Sequence, residues 1–210
     1  MQSLIQIVKE ILLEAKNAQT TQDRKIDKNL SRNNPEHAIF KYNLGKKIGS
    51  SGKTAYEYND NPNYIIKDFD KDFYNSNIEE EYMLSQKYPK YFAHILKFDL
   101  KNNIMVQEKV DTSEVKRDEA YFKSKYKIDL MKVSDKVING MDEQKPIPLK
   151  YWKEKITDPN DFNKFKKYYD FYLNLLKIFD KENIDENVRG AHFGNIGFDK
   201  QGNLKVFDLD

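Results

Sequence analysis

The chain has 210 residues, with 36 Lys and Arg against 34 Asp and Glu, no Cys, 39% hydrophobic residues and 13% aromatics. That length fits one domain or two small lobes, and 13 Phe and 14 Tyr are enough apolar material for a core. The missing Cys excludes disulfides, thiolate zinc sites and a cysteine nucleophile, and three scattered histidines (His37, His94, His192) do not by themselves make a three-histidine metal site.

Ser3 and Gln6 form a capping box, after which Leu4, Ile7, Val8, Ile11, Leu12 and Ala15 recur on one helical face, so residues 1–16 are predicted to be an amphipathic helix. The apolar run Leu4–Leu13 is broken by Gln6, Lys9 and Glu10 and is shorter than the ~20 residues a membrane span needs; no secretory signal is visible. A cytoplasmic or virion-associated location is expected. Residues 17–36 are polar and end in Asn33-Asn34-Pro35, the pattern of a linker. The first helix therefore reads as a strap packed back on the domain or as a segment for docking a protein partner or for oligomerisation.

Short β-like runs follow: Phe40–Ile48, Thr54–Tyr58, Tyr64–Phe69, Ile95–Leu100 and Ile104–Val110, separated by turn chemistry such as Asn59-Asp60-Asn61-Pro62-Asn63. One helical stretch, Asn77–Lys87, lies between the third and fourth. The expected unit over residues 37–110 is a five-stranded antiparallel sheet carrying one helix. From Asp111 to residue 210 the pattern is mainly helical. Asp111-Thr112-Ser113-Glu114 reads as a cap, Ile128–Ile138 as a helix, and Asp161–Lys181 as a strongly amphipathic one. A final hairpin is predicted from Ile196–Asp199 and Leu204–Phe207, turning at Lys200-Gln201-Gly202-Asn203.

Lys outnumbers Arg 32 to 4 and there are 20 Asn, the bias of an AT-rich coding sequence. With Lys and acidic residues interleaved throughout, the charge pattern argues against a nucleic-acid surface, which would favour Arg and concentrate positive charge.

Two short motifs fail on spacing. Gly49-Ser50-Ser51-Gly52-Lys53-Thr54 resembles the end of a phosphate-binding loop, but Lys47 stands where the first Gly is needed and a strand follows where a helix should. Asp68, Asp70, Asp72 and Glu79 have calcium-loop spacing, but Phe73 occupies the sharp turn that requires Gly.

A third constellation is spread over the chain. A glycine-containing turn (Gly49, Gly52) joins two strands, Lys67 ends an apolar strand, and Glu79, Glu80 and Glu81 lie on the next helix. An apolar strand then ends in Glu108-Lys109-Val110, and Val188-Arg189-Gly190-Ala191-His192-Phe193-Gly194-Asn195 precedes a hairpin that ends at Asp208. In this order the sequence resembles the protein kinase and aminoglycoside-phosphotransferase superfamily over roughly residues 44–208. The resemblance implies an α+β kinase-like fold with a truncated, mainly helical C-lobe, and binding of ATP with Mg²⁺. Lys67 would hold phosphate, with Glu80 orienting it, and Met83 and Leu84 three and four residues on would be its apolar neighbours. Glu108 and Val110 would belong to the hinge that holds adenine, Gly49 and Gly52 to the glycine loop, and Asn195 and Asp208 would take the metal. The chemistry is sound, because a cation on a strand neutralises phosphate and a hard metal ion wants oxygen donors.

The family's catalytic Asp, five residues before the metal-binding Asn, is Gly190 here. His192 and Asp185 are the candidate substitutes, with Arg189 able only to stabilise charge. In the resembling phosphotransferases a histidine at the His192 position mainly braces the loop. The sequence stops two residues past Asp208, so no activation segment is expected. The implied protein is an ATP- and Mg²⁺-binding pseudokinase with weak or absent phosphotransferase activity, of the compact type that phages and mobile elements encode. The competing reading is a structural or docking protein, such as a virion or assembly component, that reuses the fold without nucleotide.

Overall fold

The computed structural model describes residues 43–51, 53–69, 76–99, 104–138, 146–184 and 191–209. The expected N-terminal helix (1–16) and linker (17–36) lie outside the described residues. The fold is α+β. Two compact units emerge, one running to Met83 and including Leu96–Val106, the other made of Leu84–Ile95 and Gln107–Asp210.

The first unit is built on a five-stranded sheet of β1 (Leu44–Ser51), β2 (Lys53–Tyr58), β3 (Tyr64–Phe69), β4 (Ile95–Asp99) and β5 (Ile104–Glu108), in the order β1-β2-β3-β5-β4. β1 with β2 and β2 with β3 pair antiparallel. Alternation along β3 decides which side chains share a face. Ile66 is buried with Ile104 and Val106, and Leu44, Tyr56, Tyr58 and Tyr64 pack against them. Lys67 and Phe69, of opposite parity, are buried on the other side. Thr54 onward is strand, as the rejection of a phosphate-loop helix requires.

Helix α1 (Ser76–Lys87) follows β3. Its buried positions Ile78, Glu81, Leu84 and Ser85 repeat at three- and four-residue spacing, so one stripe faces inward.

The second unit contains α2 (Ser113–Tyr126), α3 (Leu130–Ile138), α4 (Leu149–Lys155) and α5 (Pro159–Glu182), then a 3-10 turn (Phe193–Asn195) and the hairpin β6 (Ile196–Phe198) and β7 (Leu204–Val206). The cap of α2 differs from expectation. Thr112 makes no side-chain cap bond, and the Asp111 carboxylate instead accepts the Ser113 amide at 2.8 Å. Helix α5 starts before Asp161 because Asp158 accepts the Asn160 and Asp161 amides and Pro159 is pre-set for the first turn. Asn183, in the left-handed region at φ 54°, ends it. Helix α4 was not among the sequence expectations; its apolar anchors are only Trp152 and, just past its end, Ile156, too few for a periodic signal.

The core of this unit is aromatic. Phe165 lies 5.1 Å from Trp152, 6.0 Å from Phe122 and 6.0 Å from Tyr169, ring centre to ring centre, and Tyr168 lies 5.1 Å from Phe193. The buried Asp118 of α2 accepts the Tyr168 hydroxyl at 2.8 Å and the Lys164 ammonium at 2.9 Å, which ties α2 to α5 and satisfies a carboxylate that would otherwise be costly to bury.

Candidate functional site

In the first unit, Lys67 and Glu81 form a buried ion pair with Lys67 Nζ 3.6 Å from Glu81 Oε1. The expected partner, Glu80, is displaced by one position. Residues on a helix advance by about 100° each, so only one glutamate of the triplet can face squarely inward. Glu81 has Ile78 three residues before it and Leu84 three residues after it, both buried, whereas Met83, the neighbour that favoured Glu80, is only half-buried. The inward stripe, rather than the C-terminal neighbours alone, was the readable signal.

The strand register adds a second feature. Gly49 pairs with Ala55, and Ala55 pairs with Lys67, so the three lie in one row across β1, β2 and β3. Directly opposed residues share a face. On the β2 and β1 side of the lysine that row therefore carries a single methyl group and then no side chain. Gly52 lies outside the described residues.

The second unit holds the remaining candidates. The hairpin pairs Ile196 with Val206, Gly197 with Lys205 and Phe198 with Leu204. One step further the Phe207 amide donates to the Asn195 carbonyl at 3.0 Å. Asn195 and Asp208 consequently stand at the same end of the hairpin, on neighbouring strands. Asn195 is buried and Asp208 half-buried. The hairpin is held on both edges: Ala93 donates to the Val206 carbonyl at 2.7 Å and Val206 to the Tyr91 carbonyl at 2.8 Å, while Asp111 and Phe198 exchange bonds of 2.8 and 2.9 Å. No room exists for a side chain at position 197, where a Cβ would come within 2.8 Å of Val110 Cγ2 and 3.0 Å of the Asp111 carbonyl.

His192 organises the turn before Asn195. Its Nδ1 accepts the Gly194 amide at 3.0 Å and its carbonyl accepts the Asn195 amide at 2.9 Å. A neutral imidazole whose Nδ1 accepts carries its proton on Nε2. Such a ring has no second lone pair with which to take a proton from a hydroxyl, and using Nδ1 would cost the turn its cap. The geometry is that of a brace. Gly194 is required here too, because a Cβ would come within 2.8 Å of the imidazole Cε1.

Of the hinge candidates, Glu108 is bonded to His94 twice, its amide donating to the His94 carbonyl at 2.8 Å and its Oε2 accepting the His94 amide at 3.0 Å. Val110 packs over Gly197, as above. Asp185, Arg189 and Gly190 lie outside the described residues, as does His37.

Asp199 and Lys205, absent from the sequence candidates, form a second buried ion pair at 3.6 Å. Asp199 Oδ1 accepts the Gln201 and Asn203 amides at 2.9 and 2.8 Å, and Oδ2 accepts the Asn203 side-chain amide at 3.0 Å. Burial alone would raise its pKa, but these bonds and the Lys205 charge outweigh it and hold the carboxyl below its usual range. Among the described residues no group of three or more His, Asp and Glu could hold a metal ion, and no helix is long and apolar enough to cross a membrane. One amide oxygen and one carboxylate, Asn195 and Asp208, are the hard-donor type that suits Mg²⁺ shared with phosphate.

No family model and no curated protein matches the chain. Among solved structures it is similar to the choline kinase LicA from Streptococcus pneumoniae, at 16% identity over 90% of this chain and 68% of that one, with a TM-score of 0.35, a likeness too loose to assign an activity.

Proposed function

We propose that the chain is a kinase-like protein that binds ATP with Mg²⁺ and transfers phosphate weakly or not at all. The observation that carries this reading is the buried Lys67–Glu81 pair, with Ala55 and then Gly49 in the row across β2 and β1. Burying an ammonium is costly, and a hydrophobic pair of the same volume would usually serve stability as well. A lysine kept within an apolar strand, held by a helix carboxylate and facing only a methyl group across β2, suits a polyanion that approaches along the strand row. The strand order with a single intervening helix supports the same reading.

In this reading Lys67 neutralises phosphate and Glu81 limits where its ammonium can go. Asn195 and Asp208 would hold Mg²⁺, which when bound supplies charge neutralisation to the phosphates. Gly190 offers no carboxylate to take the acceptor proton, and losing a positioned base typically forfeits about 10²–10⁴ in rate. His192 is held as a brace and does not replace it.

The test is calorimetric titration of the full chain with ATP and Mg²⁺. Binding in the millimolar range or tighter is expected, weakened at least tenfold, about 1.4 kcal/mol, by Asp208→Ala and by Lys67→Met. No heat at millimolar ATP, or binding indifferent to both substitutions, overturns the proposal and leaves a docking role as the better account.

A further inference from the structure

Helix α5 ends in a carboxylate, Glu182, where the last carbonyls of the helix already make negative charge unfavourable. Its side chain is only 4% exposed. Burial works to raise its pKa, yet bonds from Lys87 and Tyr88 prevail and hold it below its usual range, so it is an anion at neutral pH. The Lys87 ammonium donates to Glu182 Oε1 at 2.7 Å and to Oε2 at 2.6 Å, and the Tyr88 hydroxyl donates to Oε1. Burial and that acceptor push the Tyr88 hydroxyl up to about 12, which keeps its donor proton in place. An anion set at the wrong end of a helix and out of water is a poor choice for stability alone. What it holds is the start of the chain segment that lines β7.

Lys87 closes α1, and from Tyr88 the chain runs to the β7 edge of the hairpin. Tyr91 accepts the Val206 amide at 2.8 Å, Ala93 donates to the Val206 carbonyl at 2.7 Å, and the Lys205 ammonium donates to the Pro89 carbonyl. Phe92 and Val206 form a parallel bridge, so residues 91–93 act as a third strand beside β7. Two ring contacts with α5 bury this segment, Tyr91 to Phe171 at 6.0 Å and Phe92 to Phe179 at 6.3 Å between centres. Apolar contact is non-directional and leaves the register open. Charge-assisted bonds at one end close it. Asp208 follows two residues past Val206, and between them the Phe207 amide donates to the Asn195 carbonyl at 3.0 Å.

We infer that Glu182 is a positioning residue for Asp208: by fixing Lys87 and Tyr88 it sets the register of residues 91–93 on β7, and β7 leads directly to Asp208. The metal-binding consequence rests on the proposed nucleotide reading; the effect on β7 does not.

The experiment is amide hydrogen exchange followed by NMR on the full chain. In Glu182→Ala the Ala93, Val206 and Phe207 amides should exchange at least tenfold faster, while the Asp111 and Phe198 amides, bonded to each other's residue on the opposite edge, stay near wild type. Glu182→Gln, which keeps an acceptor oxygen for both donors, should restore most of the protection. Tyr88→Phe, which keeps the ring and loses the hydroxyl, should lose part of it. Unchanged exchange in Glu182→Ala, or acceleration spread evenly over the chain, overturns the inference. Should Glu182→Ala fail to fold, Tyr88→Phe decides, and wild-type protection of the three amides in that variant overturns the inference as well. Calorimetry with ATP, once with Mg²⁺ and once with EDTA in its place, reads the consequence for the metal. Glu182→Ala should bind Mg²⁺-ATP about tenfold more weakly, the lower end of what outer-shell partners of a metal contribute, and metal-free ATP as wild type does. Equal weakening in both titrations, which general loosening would give, or weakening in neither, overturns the role toward Asp208. Absence of ATP binding in the wild-type chain would defeat the nucleotide reading alone, because the amide exchange judges the Glu182 contacts separately.

Discussion

Two buried lysine–carboxylate pairs in this chain share a separation of 3.6 Å and nearly the same burial, with side-chain exposures of 6% and 3% for Lys67 and Glu81 and 9% and 3% for Lys205 and Asp199. Their surroundings differ. Asp199 sits in the turn of its own hairpin, where amides from Gln201 and Asn203 close on it, and Lys205 is four residues beyond the turn's last donor-bearing neighbour but one, with its ammonium also on the Pro89 carbonyl. Folding that short hairpin brings the pair together. Lys67 and Glu81 come from a strand and a helix and meet only through tertiary packing. Distance and burial thus fail to separate a structural pair from a candidate functional one; whether the partners lie in one hairpin or in separate elements does so.

The sharpest way to break this comparison is to remove one partner at a time. Glu81→Ala should cost about 3–5 kcal/mol by urea denaturation, because it removes the carboxylate paired with a buried ammonium, whereas Glu80→Ala should cost far less. The double substitution Lys67→Met/Glu81→Leu should recover most of the loss while removing the proposed ATP binding. Equal costs for Glu80→Ala and Glu81→Ala would dissolve the distinction between the two glutamates.

Asp199→Ala is expected to destabilise by about 2–3 kcal/mol, since the hairpin loses an ion pair and the acceptor of three N–H bonds in its own turn. Here the paired apolar swap of Asp199 and Lys205 should not rescue, because the Gln201 and Asn203 amides stay unmatched. A double variant as stable as wild type would make the two pairs equivalent.

A smaller effect belongs to the junction of α2 and α5, where Asp161 accepts Lys125 at 2.7 Å, Tyr126 at 2.7 Å and Tyr121 at 2.8 Å. Burial works to raise its pKa, but the bonds from Lys125, Tyr126 and Tyr121 prevail and bring it to about 2 from 3.8. A depressed acid stabilises the fold above its unfolded pKa and loses that contribution as pH falls through the folded value. Asp161→Asn should therefore be less stable than wild type by about 1 kcal/mol at neutral pH, allowing for solvent screening around the exposed Lys125, with the gap closing between about pH 4 and pH 2. A gap that persists at pH 2 would show that Asp161 acts through packing rather than charge.

Much of this was legible before the fold was known, and the misses share a cause. β3 is where its apolar run places it, and the final hairpin follows its turn residues. The start of α5 was placed late because Asp158-Pro159 is a cap-plus-first-turn pair that lies outside the apolar stripe. In α1 three consecutive glutamates blur the stripe, and choosing among them requires knowing which side meets β3.

By itself the sequence determined the α+β composition, the β-β-β-α-β-β order, the amphipathic face of α5 and the turn chemistry of the final hairpin, because strand alternation, helical period and turn preferences act over a few neighbouring residues. Tertiary structure decided the rest: the β1-β2-β3-β5-β4 order, the choice of Glu81 over Glu80, the row of Gly49, Ala55 and Lys67, and the bracing of Asn195 through His192. Each of these depends on which residues from distant segments face one another, and a helix that turns about 100° per residue converts a one-residue uncertainty into a different partner.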